Sequence, residues 1–129
     1  MDIFLLLSMI FCHILDDFCF QGWLASAKQK EWWEKNAPEP LYRFDYICAL
    51  IMHSVSWSFV ITVPLKAYSM ALHFGNGWIL AIMFLVNATI HAIIDDLKAN
   101  KKKINLVIDQ SLHIIQILIT FTVYYFIFK

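Results

Sequence analysis

Four apolar runs, each long enough to approach or exceed the thickness of a bilayer, leave this 129-residue chain few ways to fold. They cover about 3–21, 44–65, 78–97 and 104–128. The chain is 60% hydrophobic and 16% charged, against about 45–50% and about 25% in an ordinary soluble domain. The expected fold is all-α: a single transmembrane domain over residues 1–129, built as an integral membrane four-helix bundle with an interfacial segment at 22–42. The last run is rich in β-branched and aromatic residues, which in water would suggest a strand. In lipid the helix is favoured, because it satisfies its backbone groups internally.

The polar residues inside these runs are the second constraint. In Asn87-Ala-Thr-Ile-His91-Ala-Ile-Ile-Asp95-Asp96-Leu-Lys98, an imidazole and a carboxylate stand four residues apart. Positions i and i+4 share a helix face, and Asn87 extends that face by a turn. The spacing recurs at His13 and Asp17, and in reverse at Asp109 and His113, while His53 lies in the second run. Measured at about 1.5 Å per residue from the helix ends that carry most of the lysines, the four histidines lie roughly 9–14 Å deep. Asp17, Asp95 and Asp109 lie roughly 3–8 Å deep on the same measure. Helices that alternate in direction therefore still bring four imidazoles into one layer and three carboxylates into a shallower one. Asp16 and Asp96 point about 100° away from their neighbours and read as interfacial or supporting groups.

Imidazole and carboxylate together suit zinc, manganese or iron. The candidate ligands are His13, Asp17, His53, His91, Asp95, Asp109 and His113. These exceed the needs of one tetrahedral ion. One or two divalent transition metals are expected, with some carboxylates orienting imidazoles instead of binding metal. Asp17, Asp95 and Asp109 are the catalytic candidates, and Gln21, Lys98 and Gln110 the candidates for holding substrate or water. The plain rival is an interhelical hydrogen-bond network with no ion. His73 lies on the far side and carries no expected role.

The segment 22–42 mixes Trp23, Trp32 and Trp33 with Lys28, Lys30 and Lys35, which suits anchoring in the headgroup layer. Pro38 and Pro40 should end it, Pro64 lies near the end of the second run, and Gly75-Asn76-Gly77 signals a turn. Cys12, Cys19 and Cys48 form no C-x-x-C pair and read as small apolar fillers. The first run holds His13, Asp16 and Asp17, which suit a site better than a cleaved leader. Eight basic residues, Lys28, Lys30, Lys35, Arg43, Lys98 and Lys101 to Lys103, flank one side, against Lys66 and Lys129 on the other. That bias predicts a multi-pass protein of the bacterial inner membrane with both termini non-cytoplasmic. A formal net charge of zero gives no case for nucleic acid. The expected partners are the bilayer and a lipid or small-molecule substrate, and a homo-oligomer is compatible with the pattern.

At His13-x3-Asp17-Phe18-x2-Gln21, His53, His91-x3-Asp95-x2-Lys98 and Asp109-Gln110-x2-His113, the chain resembles a family of small bacterial and phage membrane proteins classed as a domain of unknown function. More loosely it resembles membrane-bound metal-dependent hydrolases. That second likeness implies a metal at His13, Asp17, His91, Asp95, Asp109 and His113. Three functions follow as expectations. The first is a metal-dependent hydrolase near the cytoplasmic leaflet, acting on a lipid headgroup or a small phosphoester or amide. The second is a proton or metal-ion transporter, against which the outer helix halves look apolar apart from Ser54, Ser56, Ser58 and Thr62. The third is a non-enzymatic phage membrane factor that binds a host protein.

Overall fold

A computed structural model describes residues 2–72 and 77–128. Among them are six α-helices and no strand. Helix α1 (Ile3–Ile14) continues into a π-helical turn, Leu15–Phe20. Two short helices follow, α2 (Leu24–Ala27) and α3 (Lys30–Asn36), then a 3-10 turn at Pro40–Tyr42. Helices α4 (Asp45–Ala71), α5 (Gly77–Ala99) and α6 (Leu106–Phe128) complete the chain. Four segments are long and apolar enough to cross a membrane: Ile3–Phe20, Pro40–Ala71, Gly77–Ala99 and Leu106–Phe128.

Each long helix has an inward stripe at three- and four-residue spacing, and each stripe changes character along its length. On α1, Leu6 and Met9 give way to His13 and Asp16. On α4, His53 and Trp57 give way to Ile61 and Leu65. On α5, Leu80 and Met83 precede Asn87, His91 and Asp95. On α6, Asp109 and His113 precede Ile117, Phe121 and Tyr124. Alternating helix direction stacks these halves, so one end of the bundle interior is polar and the other apolar. The outward faces are mostly apolar. Phe4, Leu7, Phe11, Ile14 and Phe18 form an exposed stripe on α1 that a bundle in water would bury.

Helix α4 departs from expectation. It runs through Pro64 to Ala71, so Lys66 is helical and not in a connection. Pro64 has no N–H for the Val60 carbonyl. Ending the helix there would strip several backbone groups of partners in lipid, which costs more than one lost bond. The expected turn at Gly75 and Asn76, and His73, lie outside the described residues.

At the lysine-rich end, Gly22 adopts φ 50°, a left-handed conformation that glycine accepts readily. It reverses the chain so that α2 packs against α4. Asn100, at the end of α5, holds the following bend: its Oδ1 accepts from the Lys30 N–H at 2.8 Å and its Nδ2 donates to the Lys28 carbonyl at 3.2 Å. Trp33 Nε1 donates to the Ala27 carbonyl at 2.6 Å, and Trp23, Trp32 and Trp33 meet edge to face. The tryptophans thus belong to a folded cap.

Candidate metal centre

The four histidines predicted from depth to share a layer meet inside one protomer. The His91 and His113 rings stack with centroids 4.2 Å apart, His53 lies 5.0 Å from His91, and His13 lies 5.7 Å from His113. Every one of these imidazoles is buried.

Asp95 is the hub. Its Oδ1 lies 3.3 Å from His113 Nε2. Its Oδ2 lies 3.4 Å from His53 Nε2 and 3.7 Å from His91 Nε2. His53 Nε2 is in turn 3.2 Å from His91 Nε2 and 3.4 Å from Asp17 Oδ1. Two ligands bonded at about 2.0–2.1 Å to a tetrahedral ion stand about 3.3–3.4 Å apart. The separations among His53, His91, Asp95 and Asp17 bracket that value. Two overlapping groups could hold an ion: Asp17, His53 and His91, and His91, Asp95 and His113.

His13 stands outside both groups, and hydrogen-bond direction explains its place. An indole N–H can only donate, so Trp57 Nε1 donates to His13 Nδ1 at 2.8 Å. The ring proton then sits on Nε2 and is given to Gln110 Oε1 at 3.1 Å. That orientation turns the Gln110 amide outward from His13, and it donates to Asp17 Oδ2 and Asp109 Oδ2, both at 3.0 Å. The chain Trp57, His13, Gln110, carboxylates therefore orients the acids from behind. Trp57 also stacks on His91 at 4.2 Å.

The other sequence candidates also point inward. Gln21 Nε2 is 2.9 Å from His53 Nε2, and Lys98 Nζ donates to Asp109 Oδ2 at 2.7 Å. Gln21, Lys98 and Gln110 are thus engaged by the cluster itself. Asp109 lies 3.5 Å from His113 Nε2 but belongs to neither three-residue group.

Two participants, Lys28 and Trp57, escaped the sequence reading, and Asp16 takes one of its two expected places, as a supporting group, from a face not expected for it. Lys28, expected to be a headgroup anchor, is buried, with its ammonium bonded to Asp95 Oδ2. The Gly22 turn and the Asn100 clamp deliver it there. Asp16, expected to point away, is buried beside Asp17, accepts from Ser56 Oγ at 2.8 Å and lies 3.7 Å from His53 Nδ1. The π turn supplies the reason: a wider turn lets two adjacent residues face the interior. Trp57 had a readable signal, since it follows His53 at the same four-residue spacing.

Buried carboxylates outnumber the cations placed on them: Asp16, Asp17, Asp95 and Asp109 have buried side chains, and among the described residues Lys28 and Lys98 are the ones that place ammonium groups on them. Asp17 Oδ1, Asp109 Oδ1, His91 Nδ1 and His113 Nδ1 are buried without a hydrogen-bond partner among the described residues. Buried charge of this kind is costly unless paired or coordinated to metal.

Fold and site together define a helical bundle of membrane-spanning type with a buried histidine–aspartate cluster at one end. The chain belongs to the family described as Protein of unknown function (DUF3307), which matches residues 5–129. Neither the curated proteins nor the solved structures include a match. The looser likeness to metal-dependent hydrolases therefore has no support among them.

Proposed function

We propose that the cluster is a divalent-metal centre serving hydrolysis at the lysine-rich face of the membrane. The observation that carries this is the convergence of buried imidazole and carboxylate atoms spaced 3.2–3.7 Å apart. Asp17, His53 and His91, or His91, Asp95 and His113, would hold the ion. Such an ion supplies an acidified water and polarises a phosphoryl or carbonyl oxygen. With the ion in the second group, Asp17 Oδ1, which accepts no hydrogen bond, would be the base toward such a water. Gln110 holds the other Asp17 oxygen and so fixes the direction in which Oδ1 points. Lys28 and Lys98 offset the charge of Asp95 and Asp109.

Transport is the second reading, and one observation bears on it. Buried polar groups extend beyond the histidines to Asn87, Gln116 and Thr120, more than the apolar outer halves suggested. Past them lie Met9, Ile61, Leu65, Ile117 and Phe121, all buried and apolar. That layer supports a site reached from one end. The lysine bias supports placing this end in the cytoplasm and both termini outside it.

The test is a substrate screen in lipid nanodiscs with added zinc or manganese, covering phospholipids, isoprenoid phosphates, small phosphoesters and amides. Product that depends on metal and is lost in Asp17→Asn and Asp95→Asn supports hydrolysis. Ion flux with the same dependence and no product from any class would replace it with transport.

A further inference from the structure

A lateral cleft of about 560 Å³ opens between α4 and α5 in the half away from the lysine-rich end. Its walls are apolar, formed on α4 by residues such as Phe59, Val63 and Met70 and on α5 by Ala81 and Phe84. Two polar side chains also line it, Thr62 and Lys66. Thr62 is satisfied within its own helix, where its Oγ1 donates to the Ser58 carbonyl at 2.7 Å. Lys66 is exposed, and its ammonium makes no ion pair or hydrogen bond among the described residues. Asp2, the acid described at that end of the bundle, is taken up in capping α1: its Oδ1 accepts from the Phe4 and Leu5 N–H groups at 3.1 and 3.4 Å. An apolar cleft thus carries one cation that the described residues leave unpaired.

The depth of Lys66 decides what can meet its charge. It lies roughly 32 Å along α4 from Asp45 at the helical rise, close to the thickness of about 30 Å of a hydrocarbon core. Its long stem lets the ammonium reach the headgroup layer. From Lys66 the cleft continues toward the bilayer middle, along Val63 and Phe59 on α4 and Ala81 and Phe84 on α5. Met70 to Phe59 spans roughly 16 Å at the same rise, which gives the cleft the length of a hydrocarbon chain. We propose that it seats an acidic phospholipid of the leaflet opposite the lysine-rich end. The phosphate lies against the Lys66 ammonium, and one acyl chain lies between α4 and α5. Phosphate is the anion that the headgroup layer offers at this depth. A zwitterionic headgroup brings an ammonium of its own to compete with Lys66, so a headgroup of net negative charge is favoured. The buried histidines and carboxylates take no part, so the site stands apart from the metal-centre reading.

The probe is a pair of lipids in nanodiscs, phosphatidylglycerol and phosphatidylcholine, that carry the same photoreactive acyl chain. The readout is which peptides of the full chain each lipid labels. Phosphatidylglycerol should label residues 59–70 and 80–84 more than phosphatidylcholine does, by roughly 2- to 5-fold, the worth of one lysine at a lipid surface. Lys66→Gln, at an exposed position, should lower phosphatidylglycerol labelling of these peptides to the phosphatidylcholine level. Lys66→Arg should keep the preference. Ala81→Trp, also at an exposed position, fills the cleft and should remove labelling there by both lipids. Equal labelling by the two lipids in the parent, or a preference that survives Lys66→Gln, would overturn the assignment. So would a Lys66→Gln effect of the same size at Leu106, beside the other lysines, or crosslinks that join two copies through α4 and α5.

Discussion

The two halves of the bundle are built from the same four helices and solve opposite problems. In the half away from the lysines, Met9, Ile61, Leu65, Ile117 and Phe121 fill the interior, and the main polar contact is Ser69 Oγ with Tyr124 Oη at 2.8 Å. Tyr124 also donates to the Leu65 carbonyl at 3.3 Å. Such a half needs only packing. In the lysine-rich half the same inward stripes carry four imidazoles and four carboxylates. Packing cannot hold that half together, because removing any one partner strands another in a low-dielectric interior. The contrast shows where stability and function separate. The apolar half tolerates change in proportion to lost contact, whereas the polar half depends on a complete charge set.

The largest expected effect is at the hub. Asp95→Asn removes a ligand from one candidate ion group and leaves the Lys28 ammonium buried and unpaired. Breaking one side of a buried pair costs about 3–5 kcal/mol, so denaturant titration in micelles should show a loss of that size. An Asp95→Asn protein as stable as the parent would show that the pair is not buried as described.

Lys28→Met sharpens the same contrast. It strands Asp95 in the metal-free protein, again at about 3–5 kcal/mol, but it also removes a cation from the oxygen the ion would use. Added zinc should therefore recover more stability in this variant than in the parent. Equal recovery in both would separate Lys28 from the ion site.

Trp57→Phe keeps an aromatic ring near His91, deletes the donor to His13 Nδ1 and leaves part of the indole volume empty. The expected cost is about 1–3 kcal/mol for an acceptor left unsatisfied. If the donor fixes the His13 proton on Nε2, the ring loses its single tautomer, which imidazole nitrogen NMR would report as two proton positions. One unchanged tautomer would remove Trp57 from the chain that orients the acids. The smallest effect belongs to the apolar half: Tyr124→Phe should cost about 0.5–1.5 kcal/mol and leave metal content untouched.

Much of this contrast was legible in the sequence. Four spans follow from run length, and the histidine layer follows from rise per residue, because both properties survive any arrangement of straight helices. What escaped depended on departures from regular geometry or on tertiary delivery. The π turn at Leu15–Phe20 breaks the 100° rule by which Asp16 was placed on an outer face. Lys28 has the sequence surroundings of an interfacial anchor, and only the Gly22 reversal and the Asn100 clamp turn it inward. Pro64 signals a helix end in water, but α4 continues past it because lipid offers no alternative partner for the backbone. Asn87, Gln116 and Thr120 were too scattered in sequence to suggest the network they form across α5 and α6.

The central claim is that the buried histidine–aspartate cluster holds a divalent ion. Elemental analysis by plasma mass spectrometry on protein purified in mild detergent measures this directly, with Asp95→Asn and Tyr124→Phe as companions. The expected result is one or two equivalents of a divalent transition metal per chain, lost with Asp95→Asn and kept with Tyr124→Phe. Folded parent protein that carries no such metal after incubation with zinc, manganese or iron, and whose stability strong chelator leaves unchanged, would contradict it.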